Sequence, residues 1–261
     1  MKQTRAYSGT QSIRRAVSIL KTFTDAQPEW TLTGLVRSVG LNKTTAFRLL
    51  SALESEHMVA RNPDTGAYRL GPATIALGGV ATRSNDLRTA SLAELQALAG
   101  QTGEAATLEV LVGSEVLIVE EVASARLVSS SQSVGTRHPA HATSTGKVLL
   151  SELDEAERLA VLPPPLSQVT EKTITDWGKL TSELDAVREQ GYAVALEELE
   201  LAYAAVSVPV RNHHGEIAAA ICVGGPISRL LPERLPELAG TLKDAAHRIS
   251  LNLGYGPPTS A

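Results

Sequence analysis

The spacing of apolar residues changes several times along the chain. Ile13, Ala16, Val17, Leu20 and Phe23 follow helical spacing, with Ser12 placed to cap the run. Apolar residues then fall at 32, 35, 36 and 39 and again at 46, 49, 50 and 53, which predicts two short helices, each with one buried stripe. Gly40 stands between them, where a sharp turn favours positive φ, and Leu41 fills the corner. Ala46 is small enough for the two helices to cross closely. Met58 to Leu70 alternates around Pro63-Asp64-Thr65-Gly66, the pattern of a two-stranded wing. Helical spacing returns from Pro72 to about Gln101 in two pieces, separated at Ser84-Asn85.

Beyond Gly103 the period shortens to two. Ala106–Val112 and Val116–Val122 read as strands joined at Gly113-Ser114, and Leu127–Val134 as a weaker third strand. Helices are expected from about Ser144 to Leu153, from Asp154 to the Pro163-Pro164-Pro165 run, and from Trp177 to Gln190, where Gly191 stops the last. Tyr192–Leu196, Ala205–Arg211 and Ile217–Val223 read as strands, and Pro232–Leu253 as a closing helix. Strands at both ends of this region with helices between them predict an antiparallel α+β domain.

Charge divides the chain earlier, at the end of the wing. Up to Leu70 there are ten Lys and Arg against five Asp and Glu; beyond it, fourteen against twenty-three. A +5 head thus sits on a −9 remainder, −4 in all, as expected of a polyanion-binding head on a solvated body. Cys222 is the only cysteine, which excludes an internal disulfide and fits a reducing cytoplasm. Neither an apolar leader nor a bilayer-length apolar run is present, so no membrane partner is expected.

The second short helix turns Lys43, Thr44, Phe47, Arg48 and Ser51 away from its apolar stripe. Cations and hydroxyls near a helix start suit insertion into a DNA major groove. The candidate DNA contacts are these residues with Thr45, Thr31 and Thr33 at the first helix, and Arg61 and Arg69 on the wing, which are placed to meet phosphates. Gly34 occupies the position where Glu or Gln would complete a capping box with Thr31, which weakens that helix start.

The sequence resembles the IclR family of bacterial regulators from about Ser12 to Leu253. Three stretches carry the likeness: the helix-turn-helix with its wing, Gly135 to Lys147, and Gly191-Tyr192-Ala193-Val194-Ala195-Leu196-Glu197-Glu198 with Gly224-Gly225-Pro226. The resemblance implies an arm over 1–11, a winged helix-turn-helix over 12–71, a linker helix over 72–85, a GAF-like effector domain over 86–253 and a disordered tail over 254–261. It implies homodimers through the N-terminal part, homotetramers through effector domains, a near-palindromic double-stranded operator, and a small carboxylic or aromatic effector. The implied effector cup is lined by Leu127, His138, Ser144, Thr145, Ala195, Tyr203, Ala205, Cys222 and Gly224. Ser144 and Thr145 open a helix, so their amides and hydroxyls suit a carboxylate. Relatives that bind small keto acids carry acidic or polar groups at 195 and serines at 222 and 224. The less polar cup here therefore predicts an effector larger or more apolar than glyoxylate or pyruvate.

Other signals carry less. Ser144-Thr145-Gly146-Lys147 is not a phosphate loop, because His141 and Val148 stand where Gly and Ser or Thr are required. His138 with His141, and His213-His214, lack the companion ligands of a metal site, so no cofactor is expected. Cys222 reads as a small buried residue. Glu197-Glu198, taken as neighbours on one strand, face opposite ways and do not form an acid/base pair. A metabolic enzyme is thus disfavoured, and a DNA-binding protein with a vestigial cup remains the other alternative.

Overall fold

The computed structural model describes residues 10–24, 26–123 and 133–256, and the chain divides into two units, 1–84 and 85–261. The first contains helices α1 (Thr10–Leu20), α2 (Leu32–Val39) and α3 (Lys43–Ser55), strands β1 (Val59–Arg61) and β2 (Tyr68–Leu70), and helix α4 (Pro72–Arg83). Helix α1 starts two residues before Ser12, so Ser12 lies inside it rather than capping it. Thr31 caps α2 through the Gly34 amide, and Asn42 caps α3 through the Thr45 amide. Gly40 ends α2 at φ 65°, the left-handed turn its position calls for. The missing capping box has a steric cause: a Cβ on Gly34 would lie 2.9 Å from the Trp30 ring.

Ile19, Leu35, Leu50, Val59 and Tyr68 form the core of this unit, with Leu32, Val39, Leu41 and Leu53 packed around them. The three-residue strands pair antiparallel, Val59 with Leu70 and Arg61 with Tyr68. So short a hairpin is marginal alone. Trp30 secures it by exchanging two backbone hydrogen bonds with Tyr68, 2.7 and 2.8 Å long, while its indole N–H donates to the Thr22 carbonyl.

The second unit is built on one antiparallel sheet of order β5-β4-β3-β8-β7-β6. Its strands are β3 (Ala105–Val112), β4 (Glu115–Val122), β5 (Arg137–Pro139), β6 (Ala193–Leu196), β7 (Tyr203–Arg211) and β8 (Ile217–Pro226). Helices α5 (Asp86–Thr102) and α9 (Leu235–Asn252) cover one face with Leu95, Leu98, Leu242 and Ile249 against Leu108, Val206, Val208, Ile221 and Val223. Helices α6 (Ser144–Ser151) and α8 (Trp177–Gln190) cover the other with Val148, Leu150, Leu180 and Leu184. Between them runs α7 (Glu155–Val161), started by a complete Asp154–Glu157 capping box. Most of the expected third strand lies outside the described residues. Ser133 and Val134 are not in a strand, and the sheet edge is β5 instead.

Candidate functional site

The outer edge of α3 is open. Lys43, Thr44, Phe47, Arg48 and Ser51 are exposed, while Ala46 and Leu50 on the opposite stripe are fully buried. Phe47 is an apolar ring left 50% exposed in the middle of this polar edge. Thr31 and Thr33 are exposed at the start of α2, but the Thr31 hydroxyl is occupied by its cap; Thr45 is half-buried. On the wing the register separates the two arginines. Arg61 shares a face with Tyr68, and Arg69 shares the opposite face with Ala60. Arg61 Nε donates to the Gly66 carbonyl at 3.1 Å and its guanidinium lies over the Tyr68 ring, so it braces the turn. Arg69 is the wing cation left for an outside partner.

The second unit contains a small cavity of about 30 Å³ beneath the start of α6. Alternation along the strands builds its walls. Ala205 and Ser207 on β7, Cys222 on β8, and Thr107 and Glu109 on β3 share the α6 face, held in line by the pairs Ser207–Cys222 and Thr107–Cys222. The cavity brings together His138, Ser144, Thr145, Ala195, Tyr203, Ala205 and Cys222. Leu127 lies outside the described residues. Gly224 does not line the cavity: any Cβ there would collide with the Tyr203 phenol, so its role is to seat that ring.

Sequence reasoning missed three carboxyls, because it treated the cup as smooth. Glu109, Glu198 and Glu200 all line it. Thr107 and Thr145 hydroxyls donate to the two oxygens of Glu109 at 2.7 and 2.6 Å, and burial pushes this carboxyl above its ordinary range. The signal was present in Ala106-Thr107-Leu108-Glu109-Val110, where period two assigns Thr107 and Glu109 to one face. Glu198 is off the strand altogether: β6 ends at Leu196 and Glu197 has φ 59°. The strand argument about Glu197-Glu198 therefore fails, while a structural role for Glu198 holds: it is buried. It accepts from Lys147 Nζ at 2.6 Å, and the same ammonium donates to Glu183 and to the Val194 carbonyl.

Helix α6 itself is buried along its whole length. Thr143 caps it by accepting from the Gly146 amide, and Arg158 closes its other end by donating to the Leu150 and Ser151 carbonyls. The amides of Ser144 and Thr145, in the first turn of α6, have no partner within the helix, and both residues line the cavity. The Ser144 hydroxyl is tied to Ser207 at 2.7 Å. Burial raises the Cys222 thiol to about 12 and lowers His138, whose Nε2 is buried without a partner. His141 bonds the Ser167 carbonyl through Nε2, and His213 and His214 lie in an exposed turn. No cluster of metal-ligating side chains occurs among the described residues.

Comparison with known proteins bears on both units. The profile of the IclR helix-turn-helix domain matches residues 12–63, and that of the C-terminal part of bacterial IclR transcriptional regulators matches residues 80–251. The chain belongs to the IclR family. It is 34% identical to the HTH-type transcriptional regulator XynR of Escherichia coli over 94% of this chain and 98% of that one. It is equally identical to the glycerol operon regulatory protein of Streptomyces griseus, over 94% and 97%. A crystal structure of an IclR regulator from Alicyclobacillus acidocaldarius superposes with TM-score 0.81 at 32% identity, covering 93% of this chain and 98% of that one. An IclR homologue from Microbacterium hydrocarbonoxydans in complex with 4-hydroxybenzoate gives TM-score 0.76 at 29% identity, with coverage of 93% and 98%. As an IclR-family member this protein is a transcriptional regulator with a helix-turn-helix and a C-terminal effector domain. No described helix is long and apolar enough to cross a membrane.

Proposed function

We propose that this IclR-family regulator acts in the cytoplasm, inserts α3 into the major groove of a near-palindromic operator, and changes its grip when a small carboxylic acid enters the C-terminal cavity. The outer edge of α3 carries the reading: it is exposed and cationic, and it makes no side-chain hydrogen bond or ion pair with any described residue. Arg48 and Lys43 are aimed for base edges and phosphates, and Arg69 on the wing for the backbone. A second copy of the chain is the partner that a near-palindrome requires. Helix α4 supports one, since Ile75, Leu77 and Val80 are 78%, 59% and 57% exposed and none of its residues is buried. A homotetramer through C-terminal units follows from the family resemblance.

The effector is read as an acid with an aromatic or extended apolar body. The free amides of Ser144 and Thr145 suit its carboxylate, while Ala142, Ala195, Ala205 and the Tyr203 ring suit the body. The 4-hydroxybenzoate held by the Microbacterium relative favours an aromatic acid. About 30 Å³ is the size of one or two waters, so such an acid enters only if the cavity widens. Selection of bound duplexes from a random pool, followed by retardation assays with Arg48→Ala, tests the DNA half. Intact folding with undiminished retention of the selected sequence overturns the docking face. Calorimetric titration with benzoate, longer acids and glyoxylate tests the other half. Tight glyoxylate binding with no response to the larger acids overturns the effector class.

A further inference from the structure

A carboxyl in the wall of a site meant for carboxylates needs a reason. Glu109 is 5% exposed, and it receives hydrogen bonds from the neutral hydroxyls of Thr107 and Thr145. The ammonium buried in α6, Lys147 Nζ, is committed to Glu198, Glu183 and the Val194 carbonyl. The other titratable groups around the cavity are Glu198, Glu200, His138, Tyr203 and Cys222. Glu198 adds an oxygen, Oε2, that is buried without a partner. Thr145 belongs to the first turn of α6 and also holds Glu109. An anion seated on the Ser144 and Thr145 amides is therefore a neighbour of Glu109, and two anions in one buried site strongly disfavour each other's charge.

We propose that Glu109 is the proton partner of the effector: a carboxylate binds this cavity together with one proton, which Glu109 holds. This deepens the acid-binding reading given above and rests on it. The exchange balances. One proton passes from solvent to a Glu109 oxygen, no bond of the ligand breaks, and the pair carries one negative charge instead of two. The protonated oxygen becomes a donor toward the ligand, while lone pairs on the carboxyl still accept from Thr107 and Thr145. Burial already holds the carboxyl above its ordinary range, against two hydroxyl bonds that pull it down. His138 is shifted the other way by burial and Cys222 remains a thiol, so neither is charged when the acid arrives at neutral pH.

The test is calorimetric titration of the full-length protein with benzoate, which stays ionised throughout, between roughly pH 6 and 9 in two buffers of different ionisation enthalpy. Wild-type affinity is expected to fall by up to about tenfold per pH unit once Glu109 of the free protein begins to ionise, with heats that depend on the buffer. Glu109→Gln, of equal size and always neutral, is expected to lose both the pH and the buffer dependence, whatever its absolute affinity for benzoate. Wild-type binding that ignores pH and buffer overturns the proposal and leaves the acid-binding reading intact. A slope that survives in Glu109→Gln also overturns it, by assigning the proton elsewhere. Failure of both proteins to bind benzoate, longer acids and glyoxylate sinks the acid-binding reading and the proposal with it.

Thermal unfolding without ligand follows the proton separately. A carboxyl raised in the folded state contributes stability below its unfolded value and loses it as pH rises through its folded value. Wild type is therefore expected to lose melting temperature relative to Glu109→Gln as pH rises. A constant difference shows that the fold does not hold the proton, and overturns the proposal.

Discussion

Helices α3 and α6 begin alike and are used in opposite ways. Each follows a polar cap, Asn42 in one and Thr143 in the other, and each has hydroxyls and a lysine in its first residues. In α3 the lysine and most of the hydroxyls stand in water, with five exposed side chains along one edge. In α6 all eight residues are buried, and Lys147 is 1% exposed. The difference lies in what surrounds them. Among the described residues no acid pairs with Lys43 or Arg48, which leaves them for an outside polyanion. The second unit supplies Glu198 and Glu183 to Lys147 and covers the helix with the sheet and α8. A cation beside a helix start therefore identifies a binding surface only when no carboxylate of the same chain answers it.

The comparison can be broken most directly at its two lysines. Lys147→Met should cost about 3–5 kcal/mol in urea unfolding, because it leaves Glu198 buried and unpaired, whereas Lys43→Met should stay within about 0.5 kcal/mol. Equal small losses would mean that the buried pair does not hold α6 in place. Arg48→Ala should weaken retention of the selected duplex by about 1–3 kcal/mol, with unfolding unchanged. Arg69→Ala should weaken all duplexes alike and reduce the salt slope by about 1. Arg61→Ala should affect the wing's own stability instead, since Arg61 is bound to the Gly66 carbonyl. Removing either cap, by Asn42→Ala or Thr143→Ala, should cost roughly 1 kcal/mol in the same unfolding assay, despite the difference in burial. The smallest effect concerns Cys222. With its thiol raised to about 12, alkylation of the folded protein near pH 8 should be negligible and should accelerate only on unfolding.

Much of the fold was legible because burial imposes its period on the sequence. Gly40 and Gly191 both adopt the left-handed φ their positions suggested. Helix α8 occupies the span read for it, and the β3–β4 hairpin turns at Gly113-Ser114 as expected. Strand β5 escaped because three residues ending in Pro139 offer too few positions for a period to register. The extent of α1 was misjudged because Ser12, a good cap by type, stands inside the helix, where no apolar residue precedes Ile13 to mark the extra turn. Ala205 and Cys222 were named from the family resemblance, and their strand registers place both on the α6 face beside the cavity. The lining was not readable where it depends on partners distant in sequence. Lys147 and Glu198 are 51 residues apart, and only the packing of α6 beside β6 makes them a pair. Glu109 was hidden for the opposite reason, a polar residue passed over inside an apolar strand.

Gly224 sets the shape of the cavity by what it lacks. On a strand, a residue without a side chain leaves a notch, and here the notch is filled by a phenol from the adjacent strand. Adding even one carbon at 224 would expel the ring and leave a wall of different size and polarity. The shape of this wall is thus written jointly into two diagonal positions on neighbouring strands, 203 and 224.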